Sequence, residues 1–193
     1  MDTIYSLFVA DPFDHDLMNW VAKIYNSSFP EEERRPFNHL VQLLKDSAFL
    51  QMYIIGCNDK NVGFITIWTF DTFIYIEHFA VHADHRNGGA GSFALDELAR
   101  ISPRPIILEV EPPVSELQRR RVFFYERAGF KLWPDFPYLQ PAYQEGGTPI
   151  RLMLMTCGDI DLRYESQHIL PLIYRQVYNA EPLYYDLSAQ TER

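Results

Sequence analysis

Apolar residues recur along this chain with two different periods, and the switches between them divide it into elements. Thr3 to Val9 reads as an opening strand that Asp11-Pro12 ends. Leu17, Val21, Ile24, Tyr25 and Phe29, with Trp20 adjacent, then fall at helical spacing, which predicts an amphipathic helix from Asp14 that stops at Pro30. After Glu31-Glu32-Glu33 and Arg34-Arg35-Pro36, a second helix carries Leu40, Val41, Leu43 and Leu44. The period then shortens. Phe49 to Cys57 and Val62 to Phe70 are β-rich runs divided by Asn58-Asp59-Lys60-Asn61, a hairpin turn, and Asp71-Thr72 turns into a further strand from Ile74. On that strand simple alternation places Tyr75, Glu77, Phe79 and Val81 on one face.

A glycine-rich turn, Gly88, Gly89 and Gly91, follows, and Phe93, Ala94, Leu95, Leu98 and Ile101 mark the next helix, with Ser92 near its start. Pro105 to Glu111 is a strand closed by Pro112-Pro113, and a helix from about Ser115 to Ala128 stops at Gly129. A strand, a helix and another strand in succession imply a right-handed parallel crossover. Phe130 to Trp133 begins another strand, Pro134 to Pro149 reads as a long loop, and Ile150 to Cys157 as the last strand. A terminal helix is expected over His168 to Asn179, with Pro171 in its first turn, and a loosely ordered tail after Ala180.

A length of 193 residues suits one domain with at most a small appendage. The formal charge of −9 argues against a nucleic-acid binder, which needs clustered Lys and Arg, and permits a cationic small molecule or basic peptide as partner. The first residues are acidic and do not read as a signal peptide, and no apolar stretch approaches the roughly 20 residues of a membrane span. Cys57 and Cys157 sit in apolar strand-like runs, where reduced thiols are expected, so the reading is cytoplasmic. His78, His82 and His85 show no metal-ligand spacing, and no metal is expected.

The strand–glycine loop–helix passage suits an anion, because the first N–H groups of a helix lack intrahelical partners and glycine allows close backbone approach. A Lys-Ser/Thr pair after the last glycine is missing, which sets aside the triphosphate P-loop, and Arg86 to Gly91 does not fit G-x-G-x-x-G. It fits R/Q-x-x-G-x-G/A, read as Arg86, Gly89 and Gly91, and this resembles the acetyl-CoA site of the GNAT superfamily of acyltransferases. The element order β-α-α-β-β-β-α-β-α-β-β resembles that family over about Thr3 to Cys157. Phe124-Tyr125-Glu126-Arg127-Ala128-Gly129-Phe130 resembles its F-Y-x-x-x-G-F.

The resemblance implies an α/β (α+β) fold, a mixed central sheet of about seven strands flanked by helices, with an extra C-terminal helix. Residues 1–158 would form the acetyltransferase domain and residues 159–193 a helical extension packed on it. It also implies acetyl transfer from acetyl-CoA, the cosubstrate, to an amine by direct attack in a ternary complex. The other function open to such a chain is a non-catalytic acyl-CoA sensor, and a monomer and a homodimer are both open. Main-chain groups of Phe79 and Val81 would hold pantetheine. The pyrophosphate would lie on Asn87, Gly88, Gly89, Ala90, Gly91 and Ser92, with Arg86 beside it. Gln118 stands where the family often has a cofactor-contacting asparagine. Tyr125 would return a proton to the CoA thiolate. The general base stays open between Glu77 and Glu109, with Glu77 favoured because it shares the strand face of Phe79. A salt bridge with Arg119, Arg120 or Arg121 is the alternative role for Glu109, and Glu111 competes for those arginines. Glu31, Glu32, Glu33, Tyr138 and Tyr143 would line the acceptor site.

Overall fold

The computed structural model describes residues 3–144 and 146–181, in two compact units, Met1–Ile106 and Ile107–Arg193. In the first unit β1 (Tyr5–Val9), β2 (Leu50–Cys57), β3 (Lys60–Thr69) and β4 (Ile74–Val81) form an antiparallel meander in the order β1-β2-β3-β4. The helices are α1 (His15–Ser28), α2 (Phe37–Asp46) and α3 (Ala90–Ile101). The carboxylate of Asp14 caps α1 by accepting from the Leu17 N–H at 3.0 Å. From α1, Tyr25 reaches the sheet at Phe64, ring centroids 6.3 Å apart. On the opposite face Ala90 and Ala94 of α3 pack with Ile55 and Val62, and Phe79 and Val81 lie against them.

One expectation fails on β4. Thr66 pairs with His78, but the next residue of β3, Ile67, pairs with Ile76, so Glu77 is the extra residue of a β-bulge. The bulge reverses the alternation. His78 faces α1, with its ring 4.8 Å from that of Tyr25 and 4.7 Å from that of Phe29. Glu77 turns to the same side, where it meets Arg35 and Trp68. Phe79 and Val81 face α3, so Glu77 does not share their face, and the reason given for preferring it as the base falls away.

The second unit holds β5 (Ile106–Val110, its first residue ending the first unit), α4 (Glu116–Arg127), β6 (Lys131–Trp133), β7 (Leu139–Gln140), β8 (Ile150–Arg151), β9 (Met153–Cys157) and α5 (Leu162–Val177). Its strand order is β5-β9-β6, and β6 and β9 are antiparallel. With four strands in the first unit and three here, the expected seven are present. The long loop contains β7, which pairs with β8 in a separate two-stranded ladder. The expected final strand therefore divides at Leu152.

The terminal helix starts six residues earlier than expected, at Leu162, because Asp161 caps it, accepting from the Arg163 N–H at 3.0 Å. Pro171 consequently sits inside the helix. It supplies no N–H to the Gln167 carbonyl, a defect offset by burial of Leu162, Ile169, Ile173, Tyr174 and Val177. The tail expected to be loose lies, from residue 182, outside the described residues.

The end of α4 explains the spacing of its aromatic motif. Gly129, at φ +85°, donates to the Glu126 carbonyl at 3.0 Å, and Phe130 donates to the Tyr125 carbonyl at 3.0 Å. This is a Schellman stop, in which the residue after the glycine packs on the one five before it. The Tyr125 and Phe130 rings accordingly lie 5.6 Å apart. A capping box at Ser115 and Gln118 fixes the other end. No helix among the described residues is long and apolar enough to cross a membrane.

Candidate active site

In the first unit the turn into α3 is built as the sequence suggests. Asn87 (φ +64°) and Gly89 (φ +97°) are both left-handed, and Asn87 to Gly89 are exposed. The first bond of α3 runs from the Phe93 N–H to the Gly89 carbonyl, 2.9 Å. The N–H groups of Ala90, Gly91 and Ser92 precede that bond and are left for an outside acceptor. Such a row of donors at the positive end of a 12-residue helix fits a pyrophosphate. Arg86 folds back and donates from Nε to the Val81 carbonyl at 3.1 Å.

Sequence reasoning missed Tyr5, which braces this turn from below. Its hydroxyl donates to the Gly88 carbonyl, and its ring stacks on Phe93 with centroids 5.4 Å apart. A Cβ added at Gly88 would lie 3.4 Å from that hydroxyl. No periodicity in β1 could have signalled this, since the partners are 83 residues apart.

Glu77 sits in a buried polar cluster of the same unit. Its side chain is 0% exposed and pairs with Arg35, and Trp68 Nε1 donates to its other oxygen at 2.8 Å. Burial pushes the carboxyl up, but Arg35, His78 and the indole N–H more than offset this and hold it below the usual carboxylate value. His78 Nδ1 lies 3.9 Å from Glu77 Oε2. Burial lowers the His78 ring to about 4, so it is neutral near pH 7. Its Nε2 lies 3.3 Å from the Glu33 carbonyl; a carbonyl only accepts, which puts the proton on Nε2. The turn Glu31–Glu33 is thus docked on β4 through Glu33, while Glu31 stays in solvent, its side chain 88% exposed and 3.9 Å from Arg34.

In the second unit Glu109 of β5 accepts hydrogen bonds from the Tyr138 hydroxyl and from the Tyr178 hydroxyl, the latter at 2.9 and 3.1 Å. Tyr143 lies ring to ring with Tyr178 at 5.0 Å, and Tyr174 donates to the Leu139 carbonyl at 2.8 Å. Tyr138 and Tyr143, expected at the acceptor site, therefore gather with Glu109. Tyr178 was not foreseen. Arg121 pairs with Glu111, as the competing alternative held. Gln118 spends its amide within the chain, accepting from the Ser115 N–H at 2.8 Å and donating toward Glu111 at 3.4 Å. Tyr125 is buried, and burial pushes its hydroxyl up to about 12, with Arg121 opposing. Among the described residues no group of three or more His, Cys, Asp or Glu is placed to hold a metal.

Comparison with known proteins agrees with the fold. The model of the acetyltransferase (GNAT) family matches residues 15–130. The chain is 32% identical over 117 residues to "Putative acetyltransferase YjbC" of Bacillus subtilis (strain 168), covering 59% of this chain and 57% of that protein's length. A solved structure named "Putative acetyltransferase from GNAT family from Bacteroides thetaiotaomicron" is 36% identical, with a TM-score of 0.86 over 91% of this chain and 99% of that one. An aminoglycoside 6'-N-acetyltransferase complexed with coenzyme A shares the fold at 16% identity, with a TM-score of 0.60 over 81% of this chain and 98% of that one. A family match over more than half of the chain and a fold likeness over nearly all of it leave one assignment: the chain belongs to the GNAT acetyltransferase family.

Proposed function

We propose that this chain transfers the acetyl group of acetyl-CoA to a primary amine of a small molecule or peptide, by direct attack in a ternary complex. The observation that carries the reading is the turn into α3, where Asn87 and Gly89 are left-handed and the N–H groups of Ala90, Gly91 and Ser92 precede the first helical bond, from Phe93 to Gly89. Arg86 precedes this turn in the chain, with its Nε on the Val81 carbonyl. The amine nitrogen attacks the thioester carbonyl carbon, the C–S bond breaks, and the thiolate leaves with a proton from Tyr125. Taking the proton from a lysine-like amine costs about 4 kcal/mol near pH 7.5. A carboxylate held low by a guanidinium, as Glu77 is, is a weak base for that task. Glu109, held by tyrosine hydroxyls instead, is the better one, directly or through water.

Calorimetry with CoA tests the cradle. Gly89→Val imposes a branched side chain on a left-handed residue, and Gly91→Trp places bulk beside the donors; each is expected to weaken CoA binding at least tenfold, about 1.4 kcal/mol. Unchanged affinity in both removes the reading. A thiol-release assay over a panel of polyamines, aminoglycosides and peptides then tests turnover, and CoA binding without release on any of them would favour a sensor.

The acceptor is a cationic amine, drawn by the charge of −9 and by the acidic turn Glu31–Glu33. Its KM is expected to rise several-fold between 50 and 500 mM salt as screening shortens the reach of these charges, to about 4 Å at the upper end. A KM indifferent to salt would count against it.

A further inference from the structure

The C-terminal helix lies outside the stretch that matches the family, residues 15–130, yet the residue just after it reaches Glu109. Tyr178 follows α5 and is buried, as is Tyr138 from the segment before β7. Both hydroxyls converge on the Glu109 carboxylate, and Tyr178 spans its two oxygens at 2.9 and 3.1 Å. The rings are themselves fixed. Tyr143 packs on Tyr178 at 5.0 Å, Tyr138 packs on Tyr174 at 5.9 Å, and Tyr174 is tied to the Leu139 carbonyl at 2.8 Å.

We infer that Tyr178 and Tyr138 are positioning residues that hold the Glu109 carboxylate in one orientation for proton transfer, making the C-terminal helix part of the catalytic apparatus. The inference rests on the reading of Glu109 as base. A carboxylate on a strand rotates about its terminal bonds, and two hydroxyl donors from different segments, locked by ring packing, remove that freedom before substrate arrives. The same two bonds favour the charged carboxylate over its protonated form. Among the described residues Tyr138 and Tyr178 bond it, Tyr174, whose hydroxyl burial and the Glu109 charge push up, packs on Tyr138, and Glu111, two residues further along the chain, pairs with Arg121.

Tyr178→Phe and Tyr138→Phe keep the rings and remove one donor each. The acid limb of kcat/KM for the best amine of the panel is expected to move upward by about one pH unit in each variant, a tenfold loss below it. The carbon-13 titration of the Glu109 carboxyl, assigned with Glu109→Gln in protein without acetyl-CoA, should move with it. A merely structural tyrosine would lower the melting temperature and leave both curves in place, and that outcome in the two variants overturns the inference. If Glu109→Gln itself retains wild-type turnover, the base reading fails and the inference with it. If Glu109→Gln is inactive while the tyrosine variants titrate normally, only the positioning role is lost.

Discussion

Glu77→Gln is expected to remove about 3–5 kcal/mol of folding stability in a urea titration, because it leaves the guanidinium of Arg35, in a residue 8% exposed, without its carboxylate. Folded protein that remains should turn over at a rate close to that of the wild type. A base at this position would give the reverse, normal stability and a collapse of turnover, so the two measurements on one variant decide the matter. Pairing Glu77→Gln with Arg35→Met should recover part of the loss, since removal of both charges leaves no buried ion uncompensated. The cluster also makes the protein acid-sensitive. Burial depresses His78 from 6.5 to about 4, so the unfolded chain binds the extra proton first, and stability falls on the order of 3 kcal/mol as pH drops from 6.5 to 4. Glu77, held below its ordinary value, contributes stability that is complete above the unfolded carboxylate range and is lost as pH falls through its folded value. The His78→Phe variant should lose the upper part of this pH dependence, and an unaltered acid-denaturation curve would contradict the account.

How much of this was legible in the sequence depended on whether the signal was local. Gly129 and the aromatic pair Tyr125 and Phe130 can be read together because a Schellman stop needs a left-handed residue and a contact five positions apart, all within one short stretch of chain. The glycine turn before α3 is local in the same way. The position of Glu77 is not. Its face depends on Ile67 pairing with Ile76 rather than with Glu77, a property of β3 as much as of β4, and alternation along one strand carries no trace of it. Pro171 misled because its local preference for a first turn was overridden by Asp161 and by the buried face of α5. The pairing of β7 with β8 covers only two residues on each side, too few for a period to show. With 12 tyrosines in the chain, nothing in their spacing marks Tyr138 and Tyr178 as the two that meet on Glu109; that meeting requires β5, the β7 segment and the end of α5 to be assembled first.

Tyr125→Phe is expected to reduce turnover by about 10²-fold, the usual scale for losing a general acid, with little change in melting temperature or CoA affinity. The ring contacts explain the constancy. Phe124 and Phe130 lie 5.2 and 5.6 Å from the Tyr125 ring, and a phenyl group preserves both, as well as the backbone bond that closes the helix. The chemistry explains the loss. With its hydroxyl at about 12, Tyr125 is a weaker acid than an alkyl thiol of ~8.5 by about 5 kcal/mol, so it protonates the leaving sulfur only as the C–S bond breaks and the amine gives up its own proton. Without the hydroxyl the thiolate must leave charged. A thioester with a more acidic thiol leaving group needs that proton less, and with it the gap between wild type and Tyr125→Phe should narrow. The same hydroxyl stays protonated well above pH 10, so any alkaline limb of the wild-type profile below that pH must come from another group and should persist in the variant. Wild-type turnover in Tyr125→Phe with a good acceptor would refute the role, as would a large loss of stability accompanied by normal turnover in the protein that survives.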